Sequence, residues 1–428
     1  MTRFYFVEPV DSLFVRGNLA FGDAGEHGTG PMPPPPSLFA GAFRSAILGR
    51  DATALARFAR EGLAGEARQD AALGTFNPQT GEVTKPGEFQ VTWVTLAGSN
   101  HARGPDAVAP QWQRHQRSAP LRCNQAQGRD VVVPLFPLPA DLVKLKDGFS
   151  PLKPLAASPL VADGRELPYV AVLRTKEQTK PEGGFYLTQT GWQSHLAGRT
   201  PEPATGAVKA TDLHTRDPRL GIGLNAGTGT VESGLIYTTE GHAFSPPPDP
   251  KDSDPNARPF SASGFLVGID GADELLPETG MLRLGGDGRG ARYRRLDYQP
   301  PAPPLDAIAR GGRFRLILAT PGLFADGWLP AGVRHDGADY RWRVGDCTAR
   351  LVCAAVPRRE IVSGWDLLAW RPKEAERAVP TGSVYWFEDL QGPIDTLAKW
   401  VAGGLWLDHP HHQRRAEGYN LAWLANWT

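Results

Sequence analysis

Three segments combine arginine, glycine and aromatic residues at a spacing that suits contact with nucleic acid. The first is Asp11-Ser-Leu-Phe-Val-Arg16-Gly17-Asn18, which runs on to Phe21 and His27. The second, Leu282 to Arg295, sets five Arg, among them Arg289, Arg292 and Arg294, and four glycines (Gly285, Gly286, Gly288, Gly290) around Tyr293. The third is Arg414-Arg415-Ala416-Glu417-Gly418-Tyr419-Asn420. Glycines let backbone N–H groups face an anion. Arginine forks grip phosphate bidentately and stack on bases, and an aromatic ring stacks on a base whatever its identity. The competing reading for each segment is a solvated basic turn.

Other chemistries find less support. No Lys follows a Gly, so a phosphate-cradling Walker loop is absent. Gly221, Gly223 and Gly227 miss the dinucleotide fingerprint by one residue, and no helical pattern follows them. There is no G-x-S-x-G nucleophile elbow. Cys347 and Cys353 read as buried structural thiols, and Asp408-His409-Pro410-His411-His412 as an exposed polar loop. No metal and no cofactor is expected.

Elements must position these segments. Arg3–Glu8 reads as an opening strand ended by Pro9. The proline run 33–36 leads to Ser37, read as a helix N-cap. Leu38, Phe39, Ala42, Phe43, Ala46 and Ile47 then form one apolar face, with Ser37, Gly41 and Arg44 opposite. A second helix is expected over 52–61. Phe89, Val91 and Trp93 alternate as a strand, and Val131–Phe136 is another. Strand patterns return at Leu220–Leu224, Gly234–Thr239, Phe265–Ile269, Arg313–Ala319, Ala349–Val356, Ser383–Phe387 and Tyr419–Leu424, with a helix at Ile394–Val401. Segments 97–130 and 140–210 read as insertions or long hairpins. Strands interrupted by few helices indicate an α+β class.

The 46 basic and 46 acidic residues cancel, which excludes a free-standing, strongly basic nucleic-acid binder. Ten of the cations are Lys and 36 are Arg. Gly (49) and Pro (40) make up about a fifth of the chain, against roughly 12% on average, so the protein is rich in loops. Three cysteines form no disulfide framework, and no apolar run spans a bilayer. A soluble cytoplasmic protein without a membrane partner is expected.

Together the motifs resemble the third subunit of the Cmr complex, the type III-B CRISPR effector, within the RAMP superfamily. Pro9-Val-Asp-Ser-Leu-Phe-Val-Arg16-Gly17 and Pro34-Pro-Pro-Ser37-Leu-Phe-Ala-Gly41-Ala-Phe-Arg44 are similar to that family's N-terminal signature. Leu220–Asn225 and Thr230–Thr239 resemble its central strands. The Gly285–Gly290 loop, Ala319–Pro330, Ser363–Asp366 and Val379–Ser383 follow in the family's order, and Gly418–Ala425 resembles the superfamily's terminal glycine-rich loop. That loop usually carries glycine at the positions of Asn420 and Asn426.

The resemblance implies two ferredoxin-like (RRM-type) domains, residues 1–305 with insertions and residues 306–428. It implies binding of the repeat-derived 5′ tag of the crRNA, with docking to the large palm-domain subunit and the first backbone subunit. It does not imply catalysis, because target RNA is cut by the backbone subunit of that complex. The residues expected at the RNA are Arg16, Gly17, Asn18, Phe21, His27, Ser37, Arg44, Gly285, Gly286, Gly288, Arg289, Gly290, Arg292, Tyr293, Arg294, Gly418 and Tyr419. Arginines would contact phosphates; Phe21, His27 and Tyr293 would stack or reach base edges. Two other readings stay open: a metal-independent ribonuclease using His27 as general base, and a structural adaptor whose Trp and Pro-rich loops meet only protein.

Overall fold

The computed structural model describes residues 2–15, 27–28, 32–51, 53–100, 131–156, 167–175, 180–225, 227–244, 260–337, 339–366, 371–407 and 411–428. The first part of the chain supplies β1 (Arg3–Pro9), α1 (Pro36–Leu48), β2 (Gln90–Asn100), β3 (Val131–Pro137), β4 (Phe185–Thr188), α2 (Gln189–Leu196) and β5 (Ala207–Lys209). There follow β6 (Thr215–Leu224), β7 (Val231–Ala243), β8 (Ala262–Asp270), β9 (Thr279–Arg283) and β10 (Gly290–Leu296). Eight of these strands form one sheet in the order β5-β4-β3-β2-β8-β1-β10-β9, while β6 and β7 pair separately as a long hairpin. The later part supplies β11 (Phe314–Leu318), β12 (Val333–Asp336), β13 (Asp339–Val344), β14 (Cys347–Ala355), β15 (Val384–Gln391), α3 (Ile394–Ala402) and β16 (Ala422–Asn426). Its sheet runs β12-β13-β14-β15-β11-β16. All ladders within both sheets are antiparallel.

Strand alternation sorts side chains into layers. Tyr5 and Val7 of β1 meet Phe39, Phe43 and Ile47 of α1, whereas Phe4 and Phe6 point the other way. In β11, Phe314 and Leu316 face α3 (Leu397, Val401), and Ile317 faces the first sheet. One buried layer therefore joins the two sheets, with Phe4, Phe6 and Leu266 against Val384 and Trp386. The molecule is a helix–sheet–sheet–helix stack, and the mixed, antiparallel architecture is α+β.

Within the inter-sheet layer sits a charged trio. Arg315 (6% exposed) pairs with Asp141 (1%) and donates to His195 O at 2.6 Å and Asn426 O at 3.0 Å. His195 Nε2 lies 3.0 Å from Asp141 Oδ1 and 3.0 Å from Arg315 Nη1. Burial alone would push the Asp141 carboxyl up, but His195 and Arg315 hold it well below the usual range. Burial holds the His195 imidazole below its usual range, against the pull of Asp141.

The structure corrects several expectations. Ser37 is not the helix cap: Pro35 occupies that position and Pro36 opens the helix, because proline's fixed φ and missing N–H suit the first turn. Val91 and Trp93 do not share a face. The register shifts beside Thr92, and this bulge sends Val91 toward α1 and Trp93 into the inter-sheet layer. Strand β2 runs on to Asn100, beyond the expected end. Segment 140–210 is not only hairpin; it contains α2 and two strands that extend the sheet. The last strand starts at Ala422 rather than Tyr419. Cys347 and Cys353 are buried free thiols, and burial pushes Cys353 up to about 12. Cys123 and Asp408–Pro410 lie outside the described residues.

Candidate nucleic-acid interface

After β1 the chain turns back against the foot of the β6–β7 hairpin. Leu13 N–H donates to His242 O (2.8 Å), and His242 N–H donates back to Leu13 O (2.9 Å). Phe14 is thereby held beside the glycine turn, and Gly286 N–H donates to its carbonyl at 2.7 Å. Gly285 has φ 80°, and a Cβ there would stand 2.5 Å from Phe14 O, so the position requires glycine.

Two guanidiniums lie against the Phe14 ring, Arg289 Cζ at 5.2 Å and Arg219 Cζ at 5.4 Å from its centroid. Arg289 pairs with Asp11; Arg219 Nε donates to Asp217 at 2.9 Å, and Ser12 Oγ donates to Asp217 as well. The Ser12 N–H holds the Asp11 carboxyl below its usual range, and Arg289 and Arg219 add to the effect. The Arg289 and Arg219 side chains nonetheless remain 26% and 41% exposed. The cluster is a set of oriented forks whose carboxylate partners an incoming phosphate can replace.

The next arginines diverge. Arg292 is exposed on β10, opposite Glu8 and Met281. Arg294 is half-buried, its Cζ 5.2 Å from the Phe6 ring centroid and its Nη2 donating to Ser99 Oγ at 3.0 Å. Tyr293 points to the opposite face and is buried against Tyr5 and Phe43. A Cβ on Gly280 would meet its ring at 2.6 Å. Tyr293 is thus a core residue, and its ring has no open face for a base.

A second cluster joins α1 to the C-terminal loop. Ser37 Oγ and Tyr419 Oη are hydrogen-bonded at 3.1 Å, across 382 residues of sequence. Arg44 Cζ lies 5.1 Å from the Phe89 ring centroid, and its Nε has no hydrogen-bond partner among the described residues. Burial pulls the Arg44 pKa down, with Glu417 pulling the other way. Glu417 is 2% exposed and accepts from Lys373 Nζ (2.5 Å) and Arg414 Nη1 (3.0 Å). Burial would raise its pKa, but Lys373, Arg414 and Arg44 hold it below the usual range. Gly418 has φ 88°, and a Cβ there would reach Val91 O at 2.8 Å. Asn420 adopts φ 61°, so the turn tolerates its missing glycine. Its amide also ties the loop to Leu323, accepting from the N–H (2.5 Å) and donating to the carbonyl (3.1 Å). Asn426 lies in β16, not in a loop.

Arg16, Gly17, Asn18 and Phe21 lie outside the described residues, on the segment that follows Val15. His27 and Gly28 add a short parallel strand to Thr238–Thr239; only their backbone is described. Sequence reasoning missed Phe14 and Arg219, and it read two fragments where one hairpin stands. The signal was present: Leu220, Ile222 and Leu224 alternate with Gly221 and Gly223, a period of two. Together with Val231 and Ile236 these apolar side chains are exposed. Among the described residues no group of three or more His, Cys, Asp or Glu could hold a metal, and no helix is long and apolar enough to cross a membrane.

The model of the family described as CRISPR-associated protein (Cas_Cmr3) matches residues 5–427. Two chains of solved structures are similar at 13% identity. One is from a type III-B Cmr-beta bound to cognate target RNA and AMPPnP (TM-score 0.46, 98% of this chain and 95% of that chain). The other is from Cmr-beta bound to cognate target RNA (TM-score 0.44, 98% and 96%). No curated protein matches. The chain belongs to the Cas_Cmr3 family, that of a subunit of the type III-B CRISPR effector.

Proposed function

We propose that this chain is the non-catalytic subunit that holds the 5′ tag of the crRNA and docks to the large palm-domain subunit and the first backbone subunit. The observation that carries this reading is the cluster on Phe14: Arg289 and Arg219 are oriented yet partly accessible, where the Arg16 segment begins. Single-stranded RNA is held by phosphate contacts, stacking and close backbone approach. Arg289, Arg219, Arg292 and Arg16 supply the first, and Gly285–Gly288 the last. Phe21 and His27 remain the candidates for stacking, since Tyr293 is buried in the core. Arg44 and Ser37 form the second contact, at the loop that ties α1 to the C-terminus; Gly418 and Tyr419 are as buried as Tyr293, and Tyr419 holds that loop through Ser37. The exposed apolar row on the hairpin suits docking to protein.

The strand orders support two ferredoxin-like units. In each sheet the four strands β10-β1-β8-β2 and β16-β11-β15-β14 follow a 4-1-3-2 order. The first unit keeps the helix after its first strand, α1, and the second keeps the helix before its last, α3.

The test is the double variant Arg289→Ala and Arg292→Ala in the assembled complex. The slope of log K against log salt should fall by about 0.7 for each lost phosphate contact. An unchanged tag affinity and slope would remove the assignment. Free subunit should bind the tag weakly, because its net charge is zero.

A further inference from the structure

Between β14 and β15 the chain leaves the second sheet as a two-step ribbon. Glu360–Val362 pairs with Glu376–Ala378, and Trp365–Asp366 pairs with Arg371–Pro372. Among the described residues no other aromatic side chain is as exposed as Trp365, at 43%. An indole buries a large apolar area once it meets a ligand or a partner, so tryptophans concentrate where binding occurs.

The backbone beside Trp365 is fixed. Lys373 N–H donates to Gly364 O at 2.9 Å, and Ser363 Oγ donates to Lys373 O at 2.7 Å. Gly364 takes φ 147°, a conformation that suits glycine. The Lys373 side chain runs past it, with Cδ 3.6 Å from where a Gly364 Cβ would stand, and Nζ donates to Glu417 at 2.5 Å. On the other strand of the ribbon, Glu376 accepts from Arg414 Nε at 2.6 Å. Two ion pairs therefore tie the ribbon to the C-terminal loop, and Glu417 of that loop also acts on Arg44. Trp365 stands one lysine side chain from the cluster that holds Arg44 and Ser37.

Among the described residues that cluster offers a cation but no ring to a base, because Tyr419 and Phe89 are buried. Single-stranded nucleic acid is held by both kinds of group. We propose that Trp365 is the stacking platform for one base of the tag, beside a phosphate at Arg44. This rests on the reading of the chain as the tag-binding subunit. The ribbon's exposed Arg358, Arg359 and Arg377 outnumber its exposed Glu360 and Glu374, which favours a polyanion as the occupant over an apolar protein surface.

The test is tag binding by the assembled complex, measured over a range of salt. Trp365→Ala should weaken it about five- to hundredfold, and Trp365→Phe, which keeps a ring, should weaken it less. The slope of log K against log salt should not change, because stacking releases no counterion. Unchanged affinity in Trp365→Ala overturns the proposal. A reduced slope also overturns it, because the side chain would then act through a phosphate contact. So does poor assembly with full tag affinity in the complex that forms, which would give the ring to a protein partner. The Arg289→Ala and Arg292→Ala double variant serves as the reference. Loss of tag binding there, with no change in Trp365→Ala, removes this inference alone; no change in either removes the tag-binding reading as well.

Discussion

Two of the places where arginine meets aspartate in this protein have opposite characters. At the hairpin foot, Arg289 and Arg219 pair with Asp11 and Asp217 at the surface. Between the sheets, Arg315 pairs with Asp141 and His195 in a space closed to water. Water sets the difference. At the surface an ion pair contributes little and its partners exchange readily. In the interior each charge has lost its hydration, so removing one partner strands the other. The first arrangement suits an exchangeable ligand, and the second fixes how two sheets pack.

The sharpest test of that contrast is Arg315→Met. It leaves Asp141 buried without its guanidinium, and unfolding free energy should fall by about 3–5 kcal/mol in denaturant titrations. A loss below about 1 kcal/mol would make the two pairs equivalent. Next is Asn420→Ala, which orphans the buried Leu323 N–H and places alanine at φ 61°. About 2–4 kcal/mol should be lost, and Asn420→Gly should recover the backbone share.

The third test is pH dependence at the hairpin foot, where His214 packs on His242 and Phe244. Burial, with His242 adding, lowers its pKa from 6.5 to about 4. A depressed histidine is neutral when folded, so protons bind first to the unfolded chain. The stability it confers is complete above pH 6.5 and is lost as pH falls toward about 4. His214→Gln should flatten the stability curve across that window; an unchanged curve would mean that the imidazole is hydrated. The smallest effect on stability belongs to Arg289→Ala, within about 1 kcal/mol by thermal unfolding, although tag binding by the complex should weaken. A large loss of stability there would turn the surface cluster into a structural one.

The sequence disclosed the site unevenly. The Gly285–Gly290 turn and Arg289 were legible because glycine and arginine carry their chemistry in their type. Tyr293 was misleading. Its neighbours in the chain are exposed arginines, but alternation along β10 turns it to the other face of the sheet. Ser37 was legible as important but not in its role, since its partner Tyr419 lies 382 residues away. Phe14 and Arg219 became visible only when the hairpin foot brought them together.

By itself the sequence determined the α+β class, the apolar face of α1, the glycine turns and the balance of charge. These follow from local periodicity, backbone freedom and composition, which act over a few residues. Tertiary structure decided which arginines stay in water, which face Trp93 takes after the Thr92 bulge, and that two sheets enclose a charged trio. The physical reason is desolvation: the same guanidinium or indole acts differently once water is excluded. Water is excluded only where distant segments of the chain pack together.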